Sequence, residues 1–494
     1  MNKNKIATIV NSKYYPLLLF FVSFVFVTLF SRSTSFLYVF EGGDPSVFKQ
    51  MGMALLKRKT LFVDYFDNKG FLLYLIHAIG LALGGDFFIL LMQAFSLTIT
   101  LVIWDKMLAL TRKTNGRIIG LFIALFLLLC LYATGDQSQE WCLPFASFPL
   151  LVYYQSVFEK RDIKPWQFFL IGICSGIITF IIANSTIVIL GFLVYLWFKY
   201  IREKDFRHFF SSLLWVGLGF LVIAGSVLLY FYLKAGWYGV NEMMYASFFS
   251  NLEYIGRKKH REAHIVIPYV FFLLALSTLF VVNSHKEKDV MIPSVLSIIL
   301  FMLTNGKLCN KYYLIALMPV CIVLMMSFEP TKQRIVKVII SSLILCVFSI
   351  YAGIHVFQLV NDAILGNEKE RKIYDDFHHC FEQIPFQERD SVYNYNLYAF
   401  GTGMMQHEGH IQCNRVLYTS LSFMLPTLWE KETSKPFVPP KWMLITFDMK
   451  YDKDDANYVV ENYDLICSFL YDRVYWRNPK IGEEFFVYLY RRKD

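Results

Sequence analysis

The sequence predicts a polytopic α-helical membrane protein with a small extracytoplasmic α/β domain at its C-terminus. The 494 residues are 56% hydrophobic and only 18% charged, and their mean hydropathy is +0.43. Soluble globular domains are closer to half apolar and a quarter charged. Apolar runs recur along most of the chain up to residue 355, whereas the remainder has a globular balance of polar and charged residues.

The apolar runs predict about eleven membrane spans. The run from Tyr14 to Phe40 is too long for a signal-peptide core and has no small-residue cleavage site, so we expect an uncleaved first span. Phe71–Leu83 is too short for a span, contains His77 and ends at Gly84-Gly85, which favours an interfacial or re-entrant segment. The other expected spans lie near 86–104, 117–133, 142–158, 166–183, 185–201, 209–232, 265–282, 290–304, 312–328 and 334–357.

Lys and Arg orient these spans. If Phe71–Leu83 does not cross the membrane, the connections with more Lys and Arg lie on the side of the N-terminus, and the positive-inside rule makes that side cytoplasmic. We therefore expect a multi-span domain over 1–357, with an external loop at 41–85, and an extracytoplasmic domain over 358–494. The other outward loops are expected at 134–141, 234–264 and 305–311.

The expected C-terminal domain has recognisable strand and helix patterns. Ser391–Tyr395, Trp442–Phe447 and Phe485–Tyr490 are rich in aromatic and branched residues and predict strands, while Asp454–Tyr463 predicts a helix. The net charge of +9 is explained by basic loops facing anionic membrane lipids, and no nucleic-acid partner is expected.

The nine cysteines form no Cys-x-x-Cys pair, so a zinc site is not expected. A pairing of Cys413 with Cys467 would require an extracytoplasmic C-terminal part, and it stays an open alternative.

The loop at 41–85 concentrates the groups that could carry chemistry. Asp44 directly precedes Pro45, the arrangement of a helix N-cap, and a carboxylate fixed there could also act as a general base on a hydroxyl. Asp64, Asp67 and Lys69 follow. Lys69 could simply form a surface ion pair with Asp67. Alternatively, Lys69 binds a lipid-linked phosphate, and one of the two aspartates binds a sugar hydroxyl or a metal ion. Lys49, Lys57, Arg58 and Lys59 make the polar face of the following helix basic, and for the last three we expect an interfacial position that attracts phosphate headgroups.

Three further loops contribute candidates. Asp136 and Glu140 are either ordinary loop acids or part of the site, and His77 is expected to be packed rather than catalytic. The basic run at 257–261 is either headgroup-binding or phosphate-binding. The candidates for phosphate binding in that run and in the late loop are Arg257, Lys258, Arg261, Lys311 and Tyr312.

Three segments together resemble bacterial GT-C glycosyltransferases of the protein O-mannosyltransferase-like and aminoarabinose-transferase-like kinds. Gly43-Asp44-Pro-Ser-Val-Phe with Phe62-Val-Asp64-Tyr-Phe-Asp67-Asn-Lys69-Gly70 is similar to their first external loop. Gly135-Asp136-Gln-Ser-Gln-Glu140-Trp-Cys-Leu-Pro144-Phe resembles their second loop, and Asn305-Gly306-Lys-Leu-Cys-Asn-Lys311-Tyr312-Tyr313 resembles a late loop with an aromatic pair.

The resemblance implies a GT-C-like fold in a bacterial plasma (inner) membrane and an inverting transfer of a hexose or pentose. A polyprenyl-phosphate-linked sugar would be the donor, and a lipid, glycan or protein the acceptor. Asp44 matches the acid taken as catalytic base, and Lys69 matches a residue that contacts the carrier phosphate. The chain departs from the pattern at Phe71, where relatives have proline, and at Gln139, where relatives have a second acid, so no cofactor is certain and a divalent metal stays possible.

Two other functions fit a membrane protein with charged outer loops. A lipid-linked sugar transporter or polymer exporter would need polar residues within its spans, and the spans here are nearly free of charge. An oligosaccharide polymerase or ligase would share the outer-face chemistry and differ in its acceptor.

Overall fold

A computed structural model describes most of the chain. The described residues are 10, 12–31, 43–112, 114–131, 135–257, 285–305, 315, 353, 357, 367–395, 398–416, 425–435, 438–445, 453–471 and 485–493. Within them the helices are α1 Tyr15–Phe30, α2 Gly43–Leu56, α3 Phe71–Ala109, α4 Thr114–Leu131, α5 Ser138–Glu159, α6 Pro165–Ile181, α7 Ile187–Arg202, α8 Phe206–Met244, α9 Ser250–Arg257, α10 His285–Asn305, α11 Asn367–Glu382, α12 Tyr398–His407, α13 Pro426–Thr433 and α14 Lys453–Asn462. The strands are β1 Val392–Tyr395, β2 Trp442–Ile445, β3 Tyr463–Tyr471 and β4 Phe485–Arg492.

The apolar runs form helices wherever the structure describes them. Among the described residues, three helical segments are long and apolar enough to cross a membrane, Phe71–Ala109, Ala183–Arg202 and Phe206–Glu253. The predicted spans from 86–104 to 209–232 lie on α3 to α8, and 290–304 lies on α10. The spans predicted at 265–282, 312–328 and 334–357 fall outside the described residues, so the count of eleven stays a prediction.

Two of the long helices are sharply bent. In α3 the bend is at Gly84 and Gly85, where Gly85 has φ +64°, a backbone conformation that costs glycine little. A Cβ built on Gly80 would lie 2.4 Å from Ile89 Cγ1, although nine residues of straight helix span about 13 Å. The chain therefore folds back at this point, and Phe71–Leu83 is a separate helical arm rather than a continuation of the predicted span at 86–104.

The second bend corrects the prediction of a long outer loop at 234–264. In α8 the helix breaks only at Ala235 and Gly236, resumes to Met244, and continues through a π-helix, Tyr245–Phe249, into α9. The predicted loop is therefore helical as far as Arg257. Gly236 and the polar residues after it favoured a loop, but the glycine only turns the helix.

Polar contacts mark the two ends of the bundle. At one end the Tyr15 hydroxyl and the Arg117 guanidinium both donate to Asp105. At the other end Ser31 donates to Gln93 Oε1 at 3.2 Å. The first of these is the end predicted to be cytoplasmic, so the second is the end at which the external loop is expected.

The C-terminal region, which we define as residues 367–493, is built on a four-stranded sheet with the order β1-β2-β4-β3. β1 and β2 are parallel, and β4 is antiparallel to both β2 and β3. Three predicted strands and one predicted helix are confirmed to within two residues at each end. They are the strands at Ser391–Tyr395, Trp442–Phe447 and Phe485–Tyr490 and the helix at Asp454–Tyr463. β3 was not predicted, because its alternation is interrupted by a bulge between Leu465 and Cys467.

One disulfide ties a helix of this region to its sheet. Cys380 of α11 is bonded to Cys467 of β3, and Cys413 is a free, exposed thiol. The pairing considered between Cys413 and Cys467 is therefore wrong. Cys380 was not considered, although α11 packs its apolar face, including Phe377 and Phe381, against the sheet.

The C-terminal region is docked onto the segment between α2 and α3. The Tyr65 hydroxyl donates to the Gln412 carbonyl at 2.6 Å, and the Phe66 N–H donates to the Arg415 carbonyl at 2.8 Å. The Lys57 amine pairs with Asp390 at 2.6 Å. Burial raises the pKa of Asp390, but hydrogen bonds from Lys57, the Ile411 N–H and His410 outweigh it and hold the pKa below its ordinary value.

Candidate functional site

Helix α2 carries Asp44 at the end of the bundle at which the external loop is expected. The helix begins at Gly43, so Asp44 is half-buried in its first turn rather than at the cap predicted for it. Phe48 lies four residues later on the same face, and its ring is 6.4 Å from that of Tyr74 and 5.6 Å from that of His77. Asp44 therefore lies one helical turn N-terminal to the contact between α2 and the arm Phe71–Leu83.

Lys49 does not lie on the exposed, basic polar face that was predicted for this helix. Its side chain is fully buried, and its amine is 2.7 Å from Asp86 Oδ1, just past the bend of α3. Burial lowers the pKa of the Lys49 amine, and the charges of Asp86 and then of Asp136 oppose that shift. Lys57 was expected to face lipid headgroups, but its amine pairs with Asp390 instead.

His77 and Asp136 form a buried pair on the far side of α2. His77 Nε2 is 3.0 Å from both carboxylate oxygens of Asp136, while His77 Nδ1 is 2.8 Å from the Leu73 carbonyl. The Trp141 indole donates to Asp136 Oδ1 at 2.8 Å. Both nitrogens of the histidine ring thus have hydrogen-bond partners inside the bundle. The expectation of a packed His77 is confirmed.

Asp67 and Lys69 are also buried, but they do not pair with each other. Asp67 is 1% exposed and accepts a hydrogen bond of 2.7 Å from the Tyr74 hydroxyl. Lys69 is 6% exposed, and its amine donates to the neutral Asn68 side chain at 2.6 Å. Among the described residues, no carboxylate lies within ion-pair distance of Lys69. A buried cation is costly without an opposite charge, so this amine is suited to an anionic ligand.

Two helices, α6 and α9, fix the backbone beside Lys69. The Gly70 N–H donates to the Ile181 carbonyl at the end of α6, at 2.9 Å. The Asn251 side chain donates to the Asn68 carbonyl at 2.9 Å. Asn251 follows the π-helix of residues 245–249, a local widening that is common near functional sites.

Asp64 and Glu140 have surroundings different from those of Lys69. Asp64 is exposed and accepts a hydrogen bond of 2.7 Å from the Thr60 N–H, so it closes a turn. Glu140 lies in the first turn of α5 and lines a small cavity of about 20 Å³, and Lys69 is not among the residues that line it. The cavity is also lined by Val27, Gln93, Ser96, Leu97, Leu128, Trp141 and Leu143.

Five of the predicted binding residues cannot be placed in this site. The backbone of Arg257 ends α9, and its side chain lies outside the described part of the chain. Lys258, Arg261, Lys311 and Tyr312 also fall outside the described residues. In the described part of the chain, no three His, Cys, Asp or Glu side chains come together in a way that could hold a metal ion.

The structure adds charged residues that sequence reasoning did not select. Asp86 was assigned to the start of a span, and Arg415 and Glu242 carried no local motif. Arg415 donates to the Phe62 carbonyl at 2.8 Å and to Glu242 Oε2 at 2.6 Å. Only a charge standing alone in an apolar context, as at Asp86, could have drawn attention to any of them.

Sequence comparison places the chain in a family. The family model of the competence-induced protein Ccs4 N-terminal domain matches residues 2–341. The chain belongs to this family. Asp44, Lys49, Lys69, His77 and Asp136 all lie inside the Ccs4 N-terminal match. A comparison of the Ccs4-family chain with curated protein sequences finds no match.

Solved structures resemble the Ccs4-family chain along nearly all of its length. The crystal structure of the Archaeoglobus fulgidus oligosaccharyltransferase tethered to an acceptor peptide is similar with a TM-score of 0.52 and 12% identity, over 98% of this chain and 75% of that one. The apo form of that enzyme gives a TM-score of 0.48 at 11% identity, over 95% and 76% of the two chains. At 12% identity, this similarity shows a shared fold.

Proposed function

We propose that this protein is a membrane glycosyltransferase that moves a hexose or pentose from a polyprenyl-phosphate carrier to an acceptor on the extracytoplasmic face. The observation that carries the proposal is the buried Lys69 amine, which has only a neutral side-chain partner among the described residues. A phosphate bound there would supply the missing negative charge. The GT-C-like fold supports the same reaction class, as an analogy of fold.

The groups around Lys69 have distinct roles in this reaction. Asp44 takes the proton of an acceptor hydroxyl, whose oxygen attacks the anomeric carbon of the sugar. The bond from that carbon to the carrier phosphate breaks with inversion, and Lys69 stabilises the charge on the departing phosphate. We assign Asp67, which accepts a hydrogen bond from Tyr74, to a sugar hydroxyl of the donor. Glu140, which lines a small cavity next to Trp141 in sequence, is assigned to the acceptor.

The proposed topology puts this chemistry outside the cell. The multi-span part, 1–357, holds the site, the N-terminus is cytoplasmic, and 358–494 forms an extracytoplasmic domain of a bacterial plasma membrane. The Cys380–Cys467 disulfide supports this orientation, because structural disulfides are typical of oxidising compartments.

Purified protein in proteoliposomes tests the proposal directly. Radiolabelled polyprenyl-phosphate hexoses and pentoses are supplied with membranes of a strain that lacks the protein, as the source of acceptors. We expect transfer by the wild type and its loss in Asp44→Asn and Lys69→Met. Asp162→Asn, at an exposed acid on the predicted cytoplasmic side, serves as the matched control and should transfer normally.

Two results would overturn parts of the proposal. Normal transfer by Asp44→Asn would remove Asp44 as the base. Movement of the labelled carrier across the bilayer without transfer of its sugar would identify a lipid-linked sugar transporter instead.

A further inference from the structure

Arg415 contacts the external loop from two directions. Its guanidinium donates to the Phe62 carbonyl at 2.8 Å, and its own carbonyl accepts the Phe66 N–H at 2.8 Å. The guanidinium also lies 5.8 Å from the centre of the Phe66 ring. Phe62 and Phe66 are fully buried, and Phe66 directly precedes Asp67. A single residue of the C-terminal region therefore contacts both ends of the turn 62–66.

A buried charge network holds Arg415 itself in place. Glu242, which is 4% exposed, lies past the bend of α8 and accepts from Arg415 at 2.6 Å and from Lys431 of α13. The other arm of the guanidinium contacts Glu432. Glu432 also pairs with the exposed Lys435 at 3.0 Å, so two carboxylates face three cations in the described network. The buried Glu242 and Arg415 therefore each have an opposite charge in contact, as buried charges require.

The network joins three parts of the molecule that are distant in sequence. Glu242 belongs to the bent helix α8, Lys431 and Glu432 to α13, and Phe62 to the external loop. The planar guanidinium can contact all three at once because its donors form a rigid fork, which a lysine amine lacks. Tyr65 strengthens the same junction by donating to the Gln412 carbonyl at 2.6 Å.

We propose that Arg415 is a positioning residue for Asp67 and Lys69, so that the C-terminal region completes the transferase site rather than standing apart from it. The inference rests on the proposed function for its catalytic consequence, but its structural part does not. Arg415 acts through the turn 62–66, and it fixes where the Lys69 amine stands relative to the bound carrier phosphate. A displacement of about 1 Å at such a group can cost about a hundredfold in rate.

Hydrogen exchange tests the structural part on the full-length protein in detergent or nanodiscs. In Arg415→Met the amides of residues 60–69 should exchange at least about tenfold faster than in the wild type, because the clamp on the turn is lost. Arg415→Lys keeps the charge and loses the fork, so its exchange should be intermediate. Arg389→Met is the matched control, since Arg389 donates to the Ile384 carbonyl and stacks on Phe381 within the C-terminal region, and it should leave 60–69 unchanged.

The transfer assay tests the catalytic part. Arg415→Lys should lower kcat/KM for the labelled polyprenyl-phosphate sugar by about tenfold, while exchange of β1 and β2 stays at the wild-type rate. If Arg415→Met unfolds the sheet, Glu242→Gln is used instead in both measurements. This change weakens the contacts of Arg415 and Lys431 with helix α8 and leaves the C-terminal region unchanged in sequence. Unchanged exchange at 60–69 in Arg415→Lys and Glu242→Gln would overturn the positioning role, whether or not the protein transfers sugar. Changed exchange with no transfer in the wild type would instead overturn the proposed function alone.

Discussion

Lys49 and Asp86 form an ion pair of 2.7 Å between helix α2 and the bend of α3, with the lysine side chain fully buried. Twenty residues further along, Lys69 is almost as buried, yet its amine contacts the neutral Asn68. One external loop therefore holds two buried lysines in opposite electrostatic situations. Lys49 is compensated and joins two helices, whereas Lys69 is available to an anion.

Replacing Lys49 by methionine should destabilise the protein strongly. The methionine keeps most of the side-chain volume but leaves Asp86 without its cation, and breaking one side of a buried pair costs roughly 3 kcal/mol. The free energy of unfolding in detergent measures this loss. The double variant Lys49→Met/Asp86→Asn should recover most of it, because no charge is then left alone.

The exposed Lys59 provides the control for this series, and Lys59→Met should change the free energy of unfolding by less than about 0.5 kcal/mol. A coupling energy near zero in the double-mutant cycle of Lys49 and Asp86 would contradict the assignment of this pair as a structural contact.

Replacing Lys69 by methionine should have the opposite effect on stability. Removing a buried charge that has a neutral partner is expected to raise the free energy of unfolding by about 1 kcal/mol. The same change should reduce sugar transfer to background, because the carrier phosphate loses its cation. A gain in stability with a loss of activity is typical of a site that is built for its ligand rather than for the fold. Unfolding by urea and the proteoliposome assay measure the two quantities on one preparation.

A loss of stability in Lys69→Met, comparable with that in Lys49→Met, would mean that Lys69 is structural and would remove the main support for phosphate binding at this position.

Much of the fold could be predicted from the sequence because hydropathy acts locally. Long apolar runs have few alternatives to helices when the backbone must satisfy its own hydrogen bonds in lipid. Strands such as Val392–Tyr395 and Phe485–Arg492 were also visible in their composition. The same local reasoning placed Asp44, Asp67 and Lys69 in one loop, although Asp64 proved to be an exposed turn residue.

The partners of the charged residues could not be predicted, because they are set by contacts distant in sequence. Lys49 and Lys57 belong to the basic polar face predicted for α2. In the structure Lys49 pairs with Asp86 and Lys57 pairs with Asp390. His77 meets Asp136 across 59 positions of sequence. No periodicity or spacing within α2 carries this information, since it depends on how α3 folds back at its bend.

The disulfide provides a prediction that is independent of activity. Peptide mapping without reduction should recover Cys380 linked to Cys467, with Cys413 free. Cys467→Ser should lower the stability of the C-terminal region by about 2–5 kcal/mol, because the crosslink restricts the unfolded chain over a long loop. Cys413→Ser, at an exposed thiol, should leave stability unchanged. Recovery of Cys467 as a free thiol from unreduced protein would contradict the crosslink and weaken the extracytoplasmic placement.

The pH dependence of the C-terminal region should depend on His378. Its Nδ1 is 2.8 Å from Glu408 Oε1, which also accepts from the Tyr374 hydroxyl, and its Nε2 is 3.3 Å from Glu382. The hydrogen bond to Glu408 raises the pKa of His378 above its ordinary value of 6.5, and partial burial opposes this. A group with a raised folded-state pKa contributes stability that is fully present below pH 6.5 and is lost as the pH rises through the folded-state value.

The contact between α11 and the loop after α12 should therefore loosen as the pH rises above 6.5. As the pH rises above 6.5, the amides of residues 367–382 should exchange faster than the intrinsic pH dependence of exchange predicts. His378→Gln should abolish this additional acceleration. Because the histidine is partly exposed, the effect should shrink in high salt. His379 is the matched control, since it is the more exposed neighbour and lies 3.8 Å from Glu382. The prediction would be contradicted if the pH-dependent acceleration of exchange persisted in His378→Gln and disappeared in His379→Gln. That result would show that His379, and not His378, is the group that titrates.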